Sequence, residues 1–242
     1  MPVNGKIPSS SLKKLSTPGS LLKEPAASFE RLNKEAKMTV GTTAAIQAYR
    51  TYAQQRSTFL DYYDRTYRPG RTVANGGKKW FEGHWYYRKD GRPVAALPGT
   101  SNHGLGNTVD WQGFSGYSDP DYIAFMKLAK KHGWDNVEGR KIKEWWHLTY
   151  HKENDKVLQA IVAAAAKKAA ARARLKKIQG ILGVPKTGLP DAATLAAWKK
   201  LPNGRPKTSK MAQCQRALNV DDDGYRGAIT RAAFTKTCKE AK

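Results

Sequence analysis

Two short stretches of the chain carry residue types that can bind a metal ion and move a proton. The first is Gly99-Thr100-Ser101-Asn102-His103-Gly104-Leu105-Gly106-Asn107-Thr108-Val109-Asp110-Trp111, and the second is Glu144-Trp145-Trp146-His147. A catalytic zinc takes three protein ligands from His, Asp, Glu or Cys and leaves a fourth position open for water. His103, Asp110 and His147 make such a set. Glu144 is then left over as the general base for a hydrolytic water whose pKa the metal would lower. Gly104 and Gly106 let the backbone turn sharply after His103, so that a loop ligand and a strand ligand can converge. Glu144 and His147 pose a geometric question. Residues three apart share a helix face but point to opposite faces of a regular strand. Either a bulge bends this segment, or Glu144 sits just before the strand. A single His is more often an ordinary surface or core residue than a ligand. His84, His132 and His151 are read that way, with His151 the one near enough to His147 to replace it.

The elements that must position these groups follow from periodicity. Residues 1–27 read as an N-terminal arm, loose to about residue 25. A helix is expected from Ser28 to Ala36, with Phe29 and Leu32 on one face. A second is expected from about Thr43 to Tyr62 or Tyr63, with Ile46, Tyr49, Tyr52 and Ala53 at helical spacing. From Arg71 to Pro98, glycines, aromatics and short apolar runs alternate and predict strands and loops, with Lys89-Asp90-Gly91-Arg92 as a turn. Val109 and Trp111 flank Asp110 in a β-prone run. Pro120 to His132 reads as a helix stopped near Gly133, and Glu144 to Tyr150 reads as strand. Val157 to Ile181 reads as a connecting helix with a positive, solvated surface.

A repeat follows. Gln179-Gly180-Ile181-Leu182-Gly183-Val184, then Gly188, Thr194 and Trp198, is echoed by Gln215-Arg216-Ala217-Leu218-Asn219-Val220, then Gly224, Thr230 and Phe234. The offset of roughly 36 residues is the size of a helix-turn-helix unit. The resulting organisation is an arm at 1–27, a catalytic domain at 28–152, a basic helical linker at 153–177 and helical repeats at 178–242. The fold class is α+β with a small antiparallel sheet, followed by a small all-α module.

Composition narrows the class further. The chain has 242 residues, 40% of them hydrophobic, which excludes global disorder. Lys and Arg number 43 against 20 Asp and Glu, a net charge of +23. Such a surface attracts polyanions, whether nucleic acid or the anionic polymers of bacterial walls, and charge alone does not choose between them. The two cysteines, Cys214 and Cys238, exclude a disulfide framework for most of the chain and leave local pairing open. No apolar run approaches the roughly 18 residues of a membrane span. The first 22 residues lack an apolar signal core, so the expectation is a chain made in a cytoplasm without a secretion address of its own, and a monomer by default.

The motif Ser101-x-His103-x-x-Gly106-x-x-x-Asp110 followed by Glu144-x-x-His147, with Trp146 before the last His, resembles the VanY-type D-alanyl-D-alanine carboxypeptidase family of zinc peptidases, which includes many phage endolysins. The segment Ala48-Tyr49-Arg50-Thr51-Tyr52-Ala53-Gln54 resembles an upstream Tyr-Arg-Ser…Gln element of the same family. The resemblance covers about residues 28–151 and departs from the common pattern at Thr108 and Thr51. It implies zinc at His103, Asp110 and His147, a catalytic base at Glu144, and an Arg50 that steadies substrate and oxyanion. Ser101 and Gln54 are candidates for substrate contact, and Trp146 for the cleft lining. The two C-terminal copies resemble peptidoglycan-binding helical repeats. The expected function is therefore an endolysin-type zinc peptidase that hydrolyses a peptide bond in peptidoglycan. Two alternatives stay open. One is a D-alanyl-D-alanine carboxypeptidase. The other is a non-catalytic cationic protein that binds nucleic acid and holds no stoichiometric metal.

Overall fold

A computed structural model describes residues 3–41, 45–202 and 208–242. The chain divides into two compact units, Met1–Leu158 and Gln159–Lys242.

The first unit opens with a hairpin of β1 (Leu12–Lys14) and β2 (Ser20–Leu22), followed by α1 (Lys23–Val40). The sequence reads residues 1–27 as an arm; the structure builds that stretch into the unit. Ile7, Leu21 and Ala26 are buried, and Gly5 exchanges backbone hydrogen bonds with Gly104 and Tyr52. A Ser-, Lys- and Gly-rich composition hid this, because the tie is made by backbone groups and a few isolated apolar side chains. α1 is longer than the expected 28–36. Phe29, Leu32 and Ala36 face the core, and Gly41 closes the helix in the left-handed conformation that glycine adopts freely.

The single helix expected from about Thr43 is instead β3 (Ala45–Gln47), a turn, and α2 (Tyr52–Tyr62). Thr42–Ala44 lie outside the described residues. The reason is local. Thr51 caps α2 with a reciprocal capping box: its hydroxyl accepts from the Gln54 N–H, and the Gln54 side chain accepts from the Thr51 N–H. Helical spacing upstream of that box was coincidental.

β4 (Tyr63–Asp64), β5 (Lys78–Phe81) and β6 (His84–Arg88) form an antiparallel sheet in the order β4-β6-β5, packed on Phe59 of α2. β7 (Thr108–Trp111), α3 (Pro120–Lys131), β8 (His132–Asp135), α4 (Val137–Ile142) and β9 (His147–Asp155) complete the unit. The main sheet is antiparallel in the order β3-β7-β9-β8. α1 and α3 cover it through Phe29, Leu32, Phe125 and Ala129, which meet Val109, Trp111, Trp134 and Leu148. This is the α+β arrangement expected, with β8 and α4 added.

α5 (Lys156–Leu182) runs across the unit boundary. Read as a solvated linker, its second half instead carries a buried stripe, Ala171, Leu175 and Ile178, which joins the core of the second unit. α6 (Ala192–Lys200), α7 (Ser209–Leu218) and α8 (Ala228–Ala241) follow. The sequence repeat is a structural repeat. The Gln179 amide donates to Thr194 Oγ1 (2.7 Å) and the Leu189 carbonyl, and accepts from Gly188 N–H (2.8 Å). The Gln215 amide does the same with Thr230 Oγ1 (3.0 Å), the Tyr225 carbonyl and Gly224 N–H (2.7 Å). Trp198 and Phe234, equivalent residues of the two copies, stack with ring centroids 3.9 Å apart. Cys214 and Cys238 are buried free thiols, and burial pushes both pKa values up to about 11.

Gln179→Leu is expected to strand the buried Gly188 N–H and to take one donor from the Leu189 carbonyl, while the Thr187 and Thr194 hydroxyls keep their bonds to Asp191. The cost is about 1–3 kcal/mol for the N–H alone. Denaturant unfolding followed through the Trp198 environment checks this. A variant as stable as the parent would show that the amide does not organise the repeat.

Candidate metal centre

The site is assembled from a loop, two strands and a turn. His103 lies in a short 3-10 turn (Asn102–Leu105) that enters β7, Asp110 lies on β7, and His147 is the first residue of β9. β7 and β9 pair with Asp110 opposite His147. Among the described residues these three form the group able to hold a metal, their ligand atoms all within 4.8 Å of one another. His84, His132 and His151 stand apart from it. The His132 ring meets Glu35 and the His151 ring meets Asp135.

The hydrogen bonds set which ring nitrogen faces inward. His103 is 1% exposed, and its Nδ1 lies 2.8 Å from the Ala48 carbonyl, which can only accept. The proton therefore sits on Nδ1 and the Nε2 lone pair is bare. That Nε2 is 3.2 Å from Asp110 Oδ1 and has no hydrogen-bond partner. His147 is arranged the other way. Its Nε2 faces Glu138 Oε2 at 3.0 Å and its Nδ1 faces Asp110 Oδ1 at 3.1 Å. Three acceptors thus converge in a buried space and need a cation between them. Bonds of about 2.0–2.1 Å from zinc to N and O ligands place tetrahedral ligand atoms about 3.3 Å apart. The two separations here, 3.1 and 3.2 Å, suit that ion.

In the metal-free chain the two carboxylates favour the protonated His147 ring. Burial tends to lower the His147 pKa, but Asp110 and Glu138 more than offset it, and the net shift is upward. Burial tends to raise the Asp110 pKa, and the two imidazoles overcome it, so the carboxyl is held well below the usual range. The raised His147 pKa stabilises the metal-free fold fully below about pH 6.5, and that contribution fades as pH rises through the raised value. Metal entry must expel the same proton. Metal affinity is therefore expected to weaken as pH falls through the His147 pKa and to level off above it. Chelator competition across that range checks this, and a flat profile would remove His147 from the ligand set.

Glu144 sits before β9 rather than on it, which answers the spacing question. The turn from Glu144 to His147 closes on a hydrogen bond from the His147 N–H to the Glu144 carbonyl (3.3 Å). It carries Glu144 Oε2 to 3.9 Å from His147 Nδ1. Burial raises the Glu144 pKa, opposed chiefly by His147. The turn is gripped from below by Asn136, whose buried amide donates to the carbonyls of Glu144 (2.9 Å), Trp145 (3.3 Å) and His147 (2.6 Å). Gly139 makes room for that grip. A Cβ there would come within 2.7 Å of the His147 carbonyl and closer still to Asn136 Nδ2 and the Glu144 carbonyl.

Arg50 lies in the turn before α2. Its N–H donates to the His103 carbonyl (3.2 Å), its Nε is buried without a hydrogen-bond partner, and its charge acts on Glu144. A cleft of about 510 Å³ is lined by Gln47, Tyr49, Arg50, Gln54, Ser57 and Tyr62, among others. Gln54 reaches this cleft while serving as the capping residue of α2. Ser101 has its carbonyl taken by the Asn4 amide (2.8 Å). Trp146 is half-buried, packed edge-on against Trp145, and its carbonyl accepts from the Trp111 N–H (2.7 Å).

The family model for VanY, D-alanyl-D-alanine carboxypeptidase, matches residues 19–156, more than half of the chain. The chain belongs to that family. Membership carries the coarse activity with it: a peptidase of the D-alanyl-D-alanine carboxypeptidase type, acting on the peptides of peptidoglycan. One solved structure, described as "Structure of the LdcB LD-carboxypeptidase reveals the molecular basis of peptidoglycan recognition", aligns at 21% identity over 65% of this chain and 74% of that one, with a TM-score of 0.43. Comparison with curated proteins gives no match. None of the described helices is long and apolar enough to cross a membrane.

Sequence reading missed several groups that build this VanY-family site. Gln55, next to the chosen Gln54, is buried. It donates to the Asn4 side chain (3.0 Å) and the Arg50 carbonyl (3.2 Å), and accepts from the Gly99 N–H (2.9 Å). It thus locks the loop leading to His103. The capping box was the available signal: it assigns Gln54 to the helix end and leaves Gln55 to face the neighbouring loop. Asn136, Glu138 and Gly139 had no local signal, since their partners lie on the Glu144–His147 turn.

Proposed function

We propose that the chain is a zinc peptidase of the endolysin type, which cuts a peptide bond within peptidoglycan while its C-terminal repeats hold it to the wall. The observation that carries this reading is the convergence of three acceptors, two of them on buried imidazoles and one of these, His103 Nε2, without a hydrogen-bond partner, beside a partly buried carboxylate at Glu144. His103, Asp110 and His147 would hold the zinc, which would supply Lewis-acid polarisation and lower the pKa of the hydrolytic water. Glu144 takes the proton from the attacking water and returns it to the leaving amine. Burial raises its pKa in the metal-free chain, and a carboxylate within reach of the hydrolytic water is a group that can accept and return that proton. Arg50, with buried Nε unspent, offers a fixed cation to a substrate carboxylate or to the developing oxyanion. Gln54 lines the cleft beside Arg50, and Ser101 and Trp146 are the further side chains proposed to meet the substrate.

The endolysin assignment rests on the second unit. Its tandem Gln–Gly–Thr networks resemble wall-binding repeats, and a +23 surface favours anionic wall polymers. Such a chain is made in the host cytoplasm and acts on the wall after release. The family name favours a second reading, removal of a terminal D-Ala. Mass spectrometry of purified walls digested by the protein separates the two. New termini inside the stem peptide or cross-bridge support endolytic cleavage. Release of free D-Ala alone replaces it with the carboxypeptidase reading, and intact walls would sink both.

A further inference from the structure

The His147 ring has two faces of chemistry, and only one is used by the metal reading. Nδ1 and Nε2 point away from each other across the imidazole, so a carboxylate on Nε2 lies outside any coordination sphere formed at Nδ1. Glu138 is that carboxylate. It comes from α4, its Oε2 lies 3.0 Å from Nε2, and the same oxygen accepts from the side-chain amide of Asn102. Asn102 immediately precedes His103. One carboxylate oxygen therefore ties together the two segments that deliver His103 and His147. α4 itself is fastened to the Glu144–His147 turn by Asn136 and by the close approach at Gly139.

We infer that Glu138 is a positioning residue of the metal centre: it holds the His147 ring with Nε2–H outward and Nδ1 toward the ion, and through Asn102 keeps the His103 turn in register with it. The physical basis is general. A ring that donates its second N–H to a carboxylate cannot flip about its Cβ–Cγ bond without losing that bond, and the carboxylate makes the opposite nitrogen a stronger donor to a metal. This rests on the zinc reading of the site, but its test does not depend on wall hydrolysis.

Zinc affinity of the full chain is measured by competition with a chromophoric chelator for the parent, Glu138→Ala and Glu138→Gln. Loss of an outer-shell partner of this kind weakens metal binding by about 10–100-fold. That loss is expected for Glu138→Ala, with its metal-free form still folding cooperatively above the His147 pKa, where the neutral ring no longer draws stability from Glu138, a partly exposed residue on a short surface helix. Glu138→Gln keeps an acceptor oxygen for Nε2–H and is expected to recover most of the affinity. Parental zinc affinity in Glu138→Ala would overturn the inference and leave the metal centre standing. Equal impairment of the Gln variant, or a metal-free form that no longer folds in both variants, would also overturn it, since the role would then be bulk charge or packing. A parent chain that binds no zinc would overturn both readings at once.

Discussion

Glu144→Gln is expected to retain one zinc per chain and to lose peptide hydrolysis by about 10²–10⁴-fold, the usual contribution of a positioned general base. The amide is nearly isosteric and keeps the grip of Asn136 on the turn, because that grip uses the Glu144 carbonyl and not its side chain. What disappears is a group that can take a proton. Burial sets the sign of the pH dependence: the Glu144 pKa is raised, so the ionised base forms only above that value and activity falls on the acid side. Turnover of a purified wall-peptide substrate, with zinc content determined on the same sample, checks the prediction. Parental turnover in the zinc-loaded variant would remove Glu144 from the mechanism. Loss of zinc together with activity would move it into the ligand set.

Asp110→Asn should fail in the opposite order, losing the metal first. Asp110 Oδ1 is the shared point of the site, 3.2 Å from His103 Nε2 and 3.1 Å from His147 Nδ1. Roughly 10–16 kcal/mol of binding at a four-ligand zinc site is about 2.5–4 kcal/mol per ligand, or about two to three powers of ten in affinity. The substitution also takes away the anion that stabilises a protonated His147, so the pKa of that ring is expected to drop toward its ordinary value in the metal-free chain. Chelator competition and an NMR titration of the His147 ring read the two effects separately. Stoichiometric, parent-like zinc in Asp110→Asn would show that the ion sits elsewhere.

The two experiments probe different layers of one arrangement. Asp110 is bound into the main sheet, with Asp110 opposite His147 in the β7–β9 register. A one-residue slip would turn every side chain of the strand to the other face, so the hydrophobic alternation of Val109 and Trp111 also fixes the ligand. Glu144 has no such anchor. It depends on the turn that Asn136 and Gly139 shape. On the proposed reading, metal binding is therefore the sturdier property of this site, and base placement the more easily disturbed.

What the sequence determined by itself was the inventory of the candidate centre: two imidazoles and two carboxylates, each next to glycines or aromatics that mark a turn or a core strand. It also determined the elements whose apolar residues repeat at helical spacing, α1 and α3, and the duplication carried by Gln179 and Gln215, while the buried stripe of α5 emerged only with the second unit's core. Local chemistry suffices there, because spacing along the chain is itself the signal. The tertiary structure decided the rest. β8 has no alternation of its own and is a strand because β9 pairs with it, and the N-terminal stretch is ordered by backbone bonds to Gly104 and Tyr52. The tautomers of His103 and His147 are set by Ala48 and Glu138, residues remote in sequence whose types announce nothing. An oxygen atom acquires such a role only when folding brings it within 3.0 Å of a particular nitrogen, and no pattern along a single chain encodes that distance.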